Sequence, residues 1–239
     1  MQALSRDLKW IWSHDVSLGV FLALLIAFGF FLLPLVDYQD STDLVASLVA
    51  AALVLSGSLA VIGRVWVRRL VVLVVASMIA VRCAGAVSGG DVLLVAGAIL
   101  TTLVLALLVI LFLGEVYRPG PITRFRVMGG VAAYLLLGMT WAYVYGLIEF
   151  AAPGSLRLPG PGEVRLNSPH FRADVVYFSF VTLTTLGYGD IVPVGAFLRS
   201  MAVLEALMGQ LYIATLIGRL VSLRPPSPTR RQGEPPTAE

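Results

Sequence analysis

Residues 175–189 read VVYFSFVTLTTLGYG, fifteen uncharged positions held between Asp174 and Asp190. The run opens like a helix and closes on Gly187-Tyr188-Gly189, where a helix does not comfortably continue. It is too short to cross a bilayer core, which takes roughly 20 apolar residues per helix. It is also too apolar and aromatic for an ordinary loop. Non-helical backbone at membrane depth is tolerated only where it is buried in protein or lines a wet pathway. A short helix entering from the outer side, followed by an extended strand containing glycine, satisfies that condition. The expectation is therefore a re-entrant segment, preceded by an exposed outer turret in the Pro- and Gly-rich stretch 151–172.

The rest of the 239-residue chain agrees with a membrane setting. It is 58% hydrophobic and 13% charged, with a mean hydropathy of +0.90, whereas soluble domains carry about a quarter charged residues. That excludes a water-soluble enzyme of ordinary composition. Cys83, the lone cysteine, can close no intramolecular disulfide and is read as a small packing residue. Basic residues exceed acidic ones by three, too few to point to nucleic acid as a partner.

Charge-free runs locate the spans. Residues 16–36, 44–63, 92–114 and 127–148 are uncharged, and 200–218 is interrupted only by Glu205. A further run, Leu70–Val81, lies between Arg69 and Arg82 and spans only if extended to about Ser88, with Arg82 snorkelling or paired. Six transmembrane helices result. With both termini in the cytoplasm, twelve of the seventeen basic residues lie on the inner side, while the first outer loop is acidic at Asp37, Asp40 and Asp43. Dropping the third helix would send Arg118, Arg124 and Arg126 outside. The first run is read as an uncleaved helix. Ahead of it, Leu4, Leu8, Ile11 and Trp12 form an interfacial lead-in or a partner-binding helix. Residues 224–239, rich in proline, read as a disordered tail.

The run from Thr182 to Asp190, TLTTLGYGD, resembles the signature of the potassium channel family, whose filter is usually written TVGYG. The resemblance covers about Phe171 to Val221. It implies a pore helix with supporting aromatics at Tyr177 and Phe178, and an inner helix bending at Gly209. It also implies filter support from Tyr177 to Asp190 and from Thr182 to Tyr188. Potassium must shed water to pass a narrow pore, and backbone carbonyls replace that water without placing a full charge in the path. Thr185, Leu186, Gly187 and Tyr188 would supply stacked rings of oxygens, with the Thr185 hydroxyl innermost. Gly187 and Gly189 suit alternating positive φ, which lets successive carbonyls aim the same way. The sequence departs from the family at Leu186, where a β-branched residue is usual, at Phe178, which lacks an indole N–H, and at Val181, where some relatives carry glutamate.

One filter motif per chain implies a symmetric homotetramer. The first four helices resemble a voltage-sensor domain in number and position, yet the fourth carries no charge between Asp91 and Glu115. Weak voltage dependence is expected, with Arg64, Arg68 and Arg69 acting as inner-side anchors and Arg82 left open between structural and functional roles. The resulting organisation is a sensor-like unit at 1–115, a cytoplasmic linker at 116–126, a pore domain at 127–223 and the tail. Glu205, one helical turn before Gly209, is expected behind the filter, in reach of Ser179 or the threonines of the pore helix. There it is either a gating element or a packing residue satisfied by a neighbour. His14 and His170 fall on opposite sides, and no catalytic constellation is present, so no enzyme and no cofactor are expected. The expectation is an all-α membrane protein, a passive potassium channel in contact with lipid. Alternatives are a weakly selective cation channel and a non-conducting regulatory subunit. The near absence of lysine points to a GC-rich bacterial source and hence the bacterial inner (plasma) membrane.

Overall fold

The computed structural model describes residues 18–27, 65–88, 91–120, 123–158 and 169–222. The expected second span, the acidic first loop, the lead-in helix and the tail lie outside the described residues, as do the side chains of Arg82, Cys83 and His170. Residues 18–27 are helical. They are followed among the described residues by α1 (Val65–Ser88), α2 (Asp91–Val116), α3 (Arg124–Ala151), β1 (Leu156–Arg157), α4 (Pro169–Leu183), β2 (Val192–Pro193) and α5 (Ala196–Ser222).

Three described helices are long and apolar enough to cross a membrane: Val92–Val116, Arg124–Ala151 and Ala196–Ser222. The helices outrun the charge-free runs at both ends, because arginine and glutamate are good helix formers and a charge does not end a helix. The third expected span shows this most clearly. Its helix begins at Val65 rather than Leu70 and carries Arg68 and Arg69 inside it, while its longest uncharged part is only Leu70–Val81. Thr101 and Thr102 donate their hydroxyls back to Gly97 O (2.7 Å) and Ala98 O (2.9 Å), so neither leaves a polar group unsatisfied within α2. Thr123 caps α3, its hydroxyl accepting from the Arg126 amide at 3.4 Å.

Packing runs in chain order. α2 lies against α1 and α3, α3 against α4, and α4 against α5. One buried cluster contains Leu18 and Phe21, Val75 and Met78 of α1, Phe112 of α2, Leu136 and Tyr145 of α3, Phe178 of α4 and Leu198 of α5. Phe21 stacks on Phe112 with ring centroids 5.5 Å apart. The sensor-like and pore-forming segments expected from sequence thus share a core on either side of residue 115. By contrast, only 17% of the α5 span is buried within the chain, against 50% of α3.

α4 has fifteen residues, about 22 Å of helix. Its last carbonyl, Leu183 O, lies against Gly209, halfway along α5, and accepts from the Tyr134 hydroxyl of α3 at 3.3 Å. The chain then turns back beside α4 and reaches β2, which pairs antiparallel with β1 in the register Leu156↔Pro193 and Arg157↔Val192. Buried Glu149, near the end of α3, holds this ladder by accepting the amides of Gly154 (2.8 Å) and Leu156 (2.6 Å). At the other end of the molecule, Arg126 donates to the carbonyls of Arg118, Pro119 and Gly120. Arg219 of α5 donates to Arg118 O (2.6 Å) and sits over the Tyr117 ring, whose hydroxyl meets Thr215 at 2.8 Å.

Candidate functional site

The segment 184–190 owes its shape to the end of α4. The amide of Thr184 continues the helical pattern to Phe180 O at 3.0 Å. The next three amides turn back as well: Thr185 to Thr182 O (2.9 Å), Leu186 to Val181 O (2.9 Å) and Gly187 to Val181 O (3.3 Å). Backbone φ is positive at Thr185 (59°), Gly187 (59°) and Gly189 (81°), every second residue. Alternation of this kind turns successive peptide carbonyls toward one side. Among the described residues no N–H or O–H bonds the carbonyls of residues 185–189. Leu186 and Tyr188 are exposed within one chain. The result is an extended segment whose amides at Thr185, Leu186 and Gly187 are spent on α4 and whose carbonyl oxygens are free within one chain.

Glycine takes the left-handed conformation at little cost, but for β-branched Thr185 it is an outlier. Sequence reading expected positive φ at the two glycines and not at the threonine. Thr185 is held there by its amide bond to Thr182 O and by its hydroxyl, which donates to Thr184 O at 2.6 Å. Gln210 of α5 adds an amide N–H, donated to Thr185 Oγ1 at 3.2 Å.

The other expected residues divide into those brought to the strand and those turned away. The Tyr177 hydroxyl donates to Asp190 Oδ2 at 2.7 Å, and Asp190 Oδ1 accepts the Ile191 amide at 3.0 Å. The Tyr177 bond holds the Asp190 carboxyl below its usual range, and the same bond raises the Tyr177 phenol to about 12. Phe178, next along α4, turns the opposite way and packs edge-on against Tyr145 (4.9 Å, 69°). It lies in the α3–α4 core and not beside the strand. No hydrogen bond joins Thr182 to Tyr188 among the described residues of one chain; the Thr182 carbonyl serves Thr185 instead.

Glu205 is fully buried. Ser179 of α4 donates to its Oε1 and Tyr145 of α3 to its Oε2, both at 2.6 Å. Ser179 Oγ also lies 2.7 Å from Gly138 O. Three helices therefore meet at one carboxyl group. Gly209, a turn later, is needed for close approach, since a Cβ there would run into the Leu183 carbonyl. Sequence reasoning found Ser179 and Glu205 but missed Tyr145, sixty residues from its partner, and Gln210. Only the neighbourhood of Gly209 marked Gln210, and nothing local marked Tyr145.

Residues 133–223 match the model of a family described as ion channel. The stretch covers most of α3, all of β1, α4, β2 and α5, and the whole site. The chain is 30% identical over 88 residues to Protein LctB of Bacillus caldotenax, covering 37% of this chain and 64% of that protein. It is 34% identical over 87 residues to Protein LctB of Geobacillus stearothermophilus, covering 36% of this chain and 62% of that one. The chain thus spans a little under two thirds of the length of the curated relatives it matches. No solved structure matches it. Residues 133–223 thus carry an ion-channel-type domain, and the long apolar helices make the chain a multi-pass membrane protein.

Proposed function

We propose that this chain is one subunit of a potassium-selective channel, four copies of which close a passive pore around residues 185–189. The observation that carries this reading is the backbone of that strand, with left-handed φ at Thr185, Gly187 and Gly189 and amides turned onto α4. Four such strands about an axis would offer potassium the carbonyls of Thr185, Leu186, Gly187 and Tyr188 in place of water, with the Thr185 hydroxyl at the inner end. Gly189 and Asp190 would form the outer mouth. One strand per chain demands several chains, and the exposed apolar side chains of α5 supply faces for neighbours or lipid.

The re-entrant reading of α4 is supported by its end lying opposite the middle of α5. For the six-span layout, with both termini in the cytoplasm of a bacterial inner membrane, the support is the length of α1 and the arginine distribution. Its 24 residues give about 36 Å of helix. Glu205 and Gly209 join α5 to the end of α4, which makes them the route by which inner-helix movement reaches the strand.

The test is the reversal potential of the purified full-length protein in planar bilayers under opposed potassium and sodium gradients. A value close to the potassium equilibrium potential is expected. Current reversing near zero would make it a weakly selective cation channel loosened by Leu186. An assembled protein that passes no current would make it a non-conducting regulatory subunit.

A further inference from the structure

Gln210 places an amide at the foot of the strand, on a helix whose neighbouring side chains at Leu207, Met208 and Leu211 are apolar. Its position follows from Gly209, whose backbone lies against Leu183 O and so brings the next residue level with Thr185. Among the described residues, Gln210 alone bonds Thr185 from outside the turn at 181–185.

The chemistry of that bond is restrictive. A threonine hydroxyl has one hydrogen and two lone pairs. The hydrogen goes to Thr184 O at 2.6 Å. Thr185 therefore has no second hydrogen to give, and only the donor end of the Gln210 amide can face it. The N–H at 3.2 Å occupies one lone pair and leaves one for a cation. It also sets a partly positive hydrogen beside the place where that cation would bind.

We propose that Gln210 is a positioning residue for the innermost ion site, acting through the Thr185 hydroxyl to keep that site weak. An ion arriving from the inner side then meets a ring of hydroxyls each already engaged by an amide. It binds there less tightly than to free hydroxyls and moves on to the carbonyls above. This inference rests on the proposed pore and assigns to it a determinant outside the filter motif.

Barium, a divalent ion close to potassium in size, is the probe, applied to the reconstituted full-length protein from the side that Thr185 faces. Gln210→Met has a similar shape and no donor. Gln210→Asn keeps the amide but is one methylene too short to reach. Both should tighten barium block about tenfold, the order of one modest hydrogen bond. In a Thr185→Ala background, which has no hydroxyl to release, Gln210→Met should tighten it no further. Equal barium affinity in wild type and both variants would overturn the assignment, as would tightening that persists without the Thr185 hydroxyl. A wild type that reverses near zero under the potassium–sodium gradient removes the proposed function itself. A selective wild type with unmoved barium affinity removes only the role of Gln210.

Discussion

Gly209 and Leu183 meet backbone to backbone, and that contact gives the glycine a packing purpose beside the bending expected of it. A methyl group at 209 would press on a carbonyl that cannot rotate away as a side chain could. Overpacking of this kind costs about 1–3 kcal/mol, and relief comes most easily by displacing the end of α4 and the strand attached to it. Gly209→Ala is therefore expected to lower the melting temperature of the purified assembly and to shift its potassium–sodium reversal potential toward zero. Wild-type values for both would show that the two backbones have room to part. At the far end of the segment, the Tyr177–Asp190 bond fixes its exit. Asp190 has its pKa lowered, so its contribution is full above the ordinary carboxylate range and fades only as pH falls through that lowered value. Tyr177 is raised to about 12, so its contribution is full below the ordinary phenol value and fades as pH rises through about 12. This pair should be insensitive to outer pH between about 5 and 9. Tyr177→Phe should make conduction decay faster when outer potassium is withdrawn. Currents as durable as wild type would count against the clamp.

Between elements, the decisive junction is the carboxyl of Glu205, which joins α5 to α4 through Ser179 and to α3 through Tyr145. The Ser179 hydroxyl has one hydrogen and two oxygens in range, Glu205 Oε1 and Gly138 O, so it serves only one as donor at a time. Any motion of α5 that draws Glu205 away must re-pair both hydroxyls inside an apolar core, where an unpaired polar group is costly. Glu205→Gln keeps the volume but puts an amide donor where one hydroxyl now donates. Single-channel records should show a changed open probability with potassium selectivity retained. Identical gating in wild type, Glu205→Gln and Glu205→Ala would reduce the junction to packing. The β1–β2 ladder and Glu149 play the corresponding part beyond Asp190, tying the exit of the segment to the end of α3.

At the scale of the whole molecule, α2 carries ionisable residues only near its ends, at Asp91 and Glu115, with none between them, and helices on both sides of it share one buried cluster. Moving one charge through the field supplies about 2.3 kcal/mol per 100 mV, and steep gating uses several per subunit. Between Asp91 and Glu115, α2 has none to move. The conductance–voltage curve should be shallow, and Arg82→Gln should leave its slope unchanged. A steep curve flattened by that substitution would locate gating charge on α1. The bonds joining Tyr117 to Thr215 and Arg219 to Arg118 O also fasten the end of α2 to the end of α5.

What the sequence determined by itself was whatever local pattern can encode. Uncharged runs gave the cores of α2, α3 and α5, and charged residues marked their margins. The two glycines of GYG announced a backbone that alternates in hand, because no other residue accepts φ near 60° so cheaply. Helix ends were less legible, since Arg69, Arg82 and Arg126 bound the apolar runs without ending the helices. Tertiary structure alone decided the third left-handed residue, Thr185, which its own side chain disfavours and which its bonds to residues 182, 184 and 210 hold in place. It alone decided that Phe178 faces α3, that Gly209 is there for Leu183, and that Tyr145 completes Glu205. These pairings join residues 25 to 60 positions apart, and no local periodicity records them. They exist because helices packed in an apolar medium must satisfy each buried polar group with whatever hydroxyl or amide the neighbouring helix places at that depth.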